Sequence, residues 1–93
     1  MDISEDVISM LQNSIDCDYS DFFVIRADDI MKNNNFNNLI NLICLKYGET
    51  IIHSHDSKNC IFQINDLYFK MYIGNTRDES YSINVFRYGY LPV

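Results

Sequence analysis

Residues 50–88 read TIIHSH DSKN CIFQI ND LYFKMYI GN TRDE SYSINVFRY, and the spacing of apolar residues along this stretch decides the fold class. Between 67 and 73, Leu67, Phe69, Met71 and Ile73 alternate with Tyr68, Lys70 and Tyr72. A period of two belongs to a strand with one face against a core. Between 80 and 88, Tyr81, Ile83 and Val85 alternate in the same way with Ser82, Asn84, Phe86 and Tyr88. Thr50 to His55 and Cys60 to Ile64 complete a set of four predicted strands. Asp56-Ser57-Lys58-Asn59, Asn65-Asp66 and Gly74-Asn75 carry the residue types that make turns. Connections this short join only antiparallel neighbours, so an antiparallel meander is expected.

Upstream of this stretch the apolar period lengthens. Ile3, Val7, Ile8, Leu11 and Ile15 recur at helical spacing. Ser4 is a suitable cap, Glu5 and Asp6 suit the positive end of the helix dipole, and Ile3 and Ile8 are spaced as a hydrophobic staple. Asp16 to Asp21 reads as a loop. Phe22-Phe23-Val24-Ile25 is a bounded apolar run, expected as a strand buried on both faces and central in the sheet. Asp28 or Asp29 can cap a second helical segment with the stripe Phe36, Leu39, Ile40, Ile43 and Tyr47, and Gly48 is placed to follow its last turn. Asn33-Asn34-Asn35 has weak helix propensity, so a turn near 28–32 and a main helix near 36–47 are expected. The order is αβαββββ, an α+β fold with an antiparallel or mixed sheet and two helices packed on one face. Ninety-three residues suit one domain, 1–93, with Pro92 and its neighbours as a frayed tail.

Charge is distributed unevenly. Residues 1–29 hold eight acids (Asp2, Glu5, Asp6, Asp16, Asp18, Asp21, Asp28 and Asp29) against Arg26 alone, while the remainder holds six bases against five acids. The whole net charge of -6 therefore comes from the first third. Nucleic-acid binding draws on cationic contacts that release phosphate counterions, so direct contact with nucleic acid is not expected. Complementary fields steer association, which favours a basic protein partner. Solubility alone also accounts for such an acidic surplus. The Ile/Asn/Tyr-rich, Ala-poor composition is of the kind that AT-rich phage, viral or low-GC bacterial genomes encode.

Cys17, Cys44 and Cys60 are odd in number and widely spaced, which fits free thiols in a reducing compartment better than a disulfide framework. The opening Met1-Asp2-Ile3-Ser4-Glu5-Asp6 lacks the basic segment and apolar run of a signal peptide, and no apolar stretch approaches membrane-spanning length. A cytoplasmic location, in a bacterial or infected host cell, with no membrane contact is the expectation.

Among chemical constellations, His53-Ser54-His55-Asp56 stands out. On a regular strand the two imidazoles share one face ~7 Å apart at Cα, close enough to bind one metal, with Asp56 or Cys60 as further ligands. The tetrapeptide resembles the start of the H-x-H-x-D-H motif of metallo-β-lactamase-fold hydrolases. The later Asp-His pair of that motif is absent and the chain is far shorter than that fold. A solvent-facing histidine pair at a strand end is the simpler explanation of the residues, and no metal or other cofactor is expected. Cys17 lies among Asp16, Asp18 and Asp21, whose charge raises a thiol pKa. Gly48, Gly74 and Gly89 sit at expected element ends rather than in a phosphate-binding loop. Enzymatic activity is not expected.

If helices cover the Leu67/Phe69/Met71 face, then Tyr68, Tyr72, Phe86 and Tyr88 line the opposite surface. Aromatics with polar tips are frequent anchors in protein interfaces, although cross-strand aromatic pairing also stiffens a sheet without any partner. The expected partner-binding residues are Asp16, Asp18, Asp21, Asp28 and Asp29 for charge and Tyr68 and Tyr72 for anchoring. The pattern suits a small acidic inhibitor of a basic, nucleic-acid-acting protein, such as an immunity protein of a nuclease toxin or a phage or viral anti-defence protein. A structural subunit that forms homodimers through its sheet is the alternative, and a small metal-dependent enzyme using His53 and His55 the third.

Overall fold

A computed structural model describes the backbone of residues 3–16, 22–26, 35–75 and 81–92, and the side chains of 5–16, 36–74 and 82–92. The elements are α1 (Ile3–Asp16), β1 (Phe22–Arg26), α2 (Asn35–Lys46), β2 (Ile51–His55), β3 (Asn59–Ile64), β4 (Leu67–Asn75) and β5 (Tyr81–Tyr88). The fold is α+β, as the change of apolar period implies. The five strands form one antiparallel sheet in the order β1-β5-β4-β3-β2.

That order places β1 at an edge, where the sequence implied a central strand. β1 and β2 hold opposite edges, and the segment containing α2 carries the chain from one to the other. The meander β2–β5 then returns until β5 pairs with β1, Ile25 opposite Ile83 and Val24 opposite Asn84. An apolar run indicates burial but not the number of strand neighbours, and only the return of β5 settles that. The side chains of β1 lie outside the described residues.

One apolar cluster joins both helices to a single side of the sheet. Val7 and Leu11 of α1 and Phe36, Leu39, Ile40 and Ile43 of α2 meet Cys60, Phe62, Ile64, Phe69, Met71, Ile83 and Val85. The strand contributors are alternate residues, and they are cross-strand partners: Phe62 faces Phe69, Cys60 faces Met71, and Met71 faces Val85. The rings of Phe62 and Phe69 stack at 5.3 Å and are almost wholly buried, which adds a ring–ring contact to their hydrophobic burial. Ser14 continues the buried line of Val7 and Leu11, and its carbonyl oxygen accepts a 2.6 Å hydrogen bond from Arg87 Nη1. A guanidinium from β5 thus satisfies an end-of-helix carbonyl and suits the negative end of the dipole.

The ends of elements show which turn signals held. Asn65 has φ 52°, a left-handed value that Asn tolerates, at the first position of the two-residue β3–β4 turn. Asp56 closes the β2–β3 turn by accepting from Lys58 N and Asn59 N, each at 2.8 Å. Gly74, by contrast, is not a turn residue: β4 continues through it, and it pairs with Ser82. A Cβ there would stand 2.6 Å from Asn84 Nδ2, so a larger residue would have to displace the Asn84 amide from its bond to Ser82; close cross-strand approach rather than turn conformation favours glycine here. Gly48 follows α2 without a left-handed φ; the helix end is closed instead by Thr50 N donating to Tyr47 O at 3.0 Å. Pro92 is buried, which corrects the frayed tail expected around it, although Tyr90 and Leu91 are exposed.

Candidate functional site

The helices leave the second face of the sheet to a row of aromatic and amide side chains. In β4, Tyr68, Lys70 and Tyr72 point to this side because Phe69 and Met71 point into the core. Tyr68 lies between Gln63 and Tyr88, Lys70 between Ile61 and Phe86, and Tyr72 between Asn59 and Asn84. Four of the rings are contiguous. Tyr72 stacks with Phe86 at 5.9 Å and 6°, Phe86 tilts towards Tyr88 at 6.3 Å, and Tyr88 meets Tyr90 edge-on at 6.0 Å. Tyr68, Lys70, Tyr72, Phe86 and Tyr88 are all half-buried, and Tyr90 is 69% exposed. Towards β1 the same face closes: Ser82 and Asn84 are buried, and Asn84 Nδ2 donates to Ser82 Oγ at 3.1 Å.

Electrostatically this surface differs from the protein as a whole. Among the strand residues on this face whose side chains are described, there is no carboxylate and Lys70 is the charged group. Its chemistry is that of polar-tipped rings and amides, which bind flat apolar or hydrogen-bonding surfaces.

A β-bulge between Ile52 and Ser54 separates the two histidines. His53 turns to the open face, where Nε2 lies 2.8 Å from Gln63 Oε1 and the ring lies 5.8 Å from Tyr68. Gln63 Nε2 is committed to Asn65 O at 2.8 Å, so Gln63 Oε1 accepts and His53 Nε2 donates. His55 turns to the helix side, with Nε2 3.0 Å from Asn37 Oδ1 and its ring 6.3 Å from Phe36. The extra residue of the bulge breaks the alternation that would have put both imidazoles on one face. Among the described residues, no group of three or more His, Cys, Asp or Glu side chains is placed to hold a metal ion.

Asp56 is engaged as a turn cap. The Lys58 N–H, followed by the side-chain amide and N–H of Asn59, holds its carboxyl below the usual range. Burial pushes the Cys60 thiol up to about 12, with smaller contributions from Cys44 and Asp56, so Cys60 is a packing residue rather than a nucleophile. Cys44 is half-buried beside the core, and Cys17 lies outside the described residues.

Of the residues expected to bind a partner, Tyr68 and Tyr72 are together on the open face. Asp16 belongs to the helix layer that covers the other face. It accepts from Gln12 Nε2 at 3.0 Å, while Gln12 Oε1 accepts from the Tyr47 hydroxyl at 2.8 Å. Burial, followed by the charge of Asp16, raises the Tyr47 pKa. Asp18, Asp21, Asp28 and Asp29 lie outside the described residues. Sequence reasoning missed His53 and Tyr90 as members of the aromatic row. His53 keeps the face of Ile51 while the bulge sends His55 to the other side, and Tyr90 lies in a bend beyond Tyr88, where the expected strand ends. No protein-family description, curated protein or solved structure matches this chain. No described helix is long and apolar enough to cross a membrane.

Proposed function

We propose that this protein acts by binding another protein through the open sheet face, as a small acidic inhibitor of a basic, nucleic-acid-acting partner. An immunity protein of a nuclease toxin and a phage or viral anti-defence protein are the two biological forms of this reading. The observation that carries it is a pair of ring groups on one face, His53–Tyr68 and Tyr72–Phe86–Tyr88–Tyr90, brought together by the cross-strand pairing of Tyr68 with Tyr88, over which no helix of the described residues packs. Polar-tipped rings held by a sheet lose little side-chain entropy on contact, which is why they serve as anchors. Among the described side chains of that face Lys70 carries the charge and no carboxylate is present, so the acids contribute at longer range. The surplus in residues 1–29 steers a basic partner into encounter, and the rings hold it once docked. The reading requires no catalytic group, cofactor, nucleic-acid contact or membrane, and it places the protein in the cytoplasm with its target.

The test is affinity capture of the tagged protein from its native host, washed at low and then high salt, with mass spectrometry of the eluate. One basic nuclease or nucleic-acid-binding protein, released by salt and lost with Tyr68→Ala/Tyr72→Ala, is the expected result. Retention that ignores both salt and the tyrosine substitutions would sink the proposal.

A homodimer is the second reading, favoured by a different observation. β2 is an edge strand whose five residues are all exposed, with Ile51 at 51% and Ile52 at 39%. Unpaired edges template further strands, although the bulge in β2 is a device that discourages this. Sedimentation equilibrium separates the readings, since the inhibitor is monomeric when free and the structural subunit is not.

A further inference from the structure

We draw no further inference here: the strongest candidate, the open sheet face around Tyr68, Lys70, Tyr72 and Tyr88, belongs to the site already described, and nothing in the structure shows what covers it.

Discussion

Replacing Phe69 by Ala and, separately, Tyr68 by Ala tests the premise on which the binding face rests. The two residues are adjacent in β4 and point to opposite sides of the sheet. Phe69 is fully buried, stacked on Phe62 and opposite Arg87 and Phe62 on the neighbouring strands. Truncating such a ring removes its transfer free energy and leaves a cavity, a loss of about 3–5 kcal/mol. Tyr68 is half-buried beside His53. Its truncation forfeits about half of a side-chain transfer term plus an exposed ring contact, and leaves no closed cavity, so about 1 kcal/mol is expected. For a domain of this size each kcal/mol moves Tm by roughly 4–8 °C. Phe69→Ala should therefore lower Tm by about 20 °C and Tyr68→Ala by about 5 °C. Native domains are stabilised by only about 5–15 kcal/mol, so the first variant forfeits a large share of that margin and is best measured at low temperature. Urea unfolding followed by far-ultraviolet circular dichroism gives both values, and an unchanged slope confirms that the same folded state is compared. Equal losses for the two variants would refute the reasoning, because Tyr68 would then be covered and unable to anchor a partner.

The remaining expectations are narrower. Zinc or manganese at millimolar concentration should leave Tm unmoved, because His53 and His55 serve opposite faces; a rise that either His→Ala substitution abolishes would restore the metal reading. With a pKa of about 12, Cys60 should be alkylated by iodoacetamide at pH 8 on the order of a thousandfold more slowly in the folded protein than in urea. Peptide mapping measures this, and rapid native labelling of Cys60 contradicts its burial. Asp56 has a folded pKa below its unfolded one, so its contribution to stability is present above the unfolded value and lost as pH falls through the folded one. Asp56→Asn should flatten that part of the acid limb below about pH 4, and an unchanged profile removes the carboxylate from the turn. Tyr47 has the opposite sign: its raised pKa gives stability that is present below the unfolded value and lost as pH rises through the folded one. Tyr47→Phe should therefore weaken the alkaline fall in stability above about pH 10, and a fall as steep as in the unsubstituted protein would exclude Tyr47 as its source.

How much could be read beforehand depended on whether the information was local. Periodicity and turn chemistry located both helices and four strands of the meander to within a residue or two, because these are properties of neighbouring residues. The alternation of β4 and β5 also sorted Phe69 and Met71 from Tyr68 and Tyr72, so the membership of the two faces was legible in the sequence, although not which of them is covered. The bulge in β2 was not, since Ile51-Ile52-His53-Ser54-His55 alternates no differently from a regular strand. It arises where β2 meets β3, and pairing is a property of two segments. The place of Gly74 inside β4 was hidden for the same reason, because the amide it accommodates belongs to Asn84 on the next strand.

Local order, the acidic surplus of residues 1–29 and the α+β class are thus determined by the sequence itself, because each follows from residue types and their spacing. The edge position of β1, the separation of His53 from His55 and the choice of which sheet face the helices cover were decided only by tertiary structure. Each depends on contacts between residues distant in the chain, and strand spacing is the same whichever neighbour a strand finds.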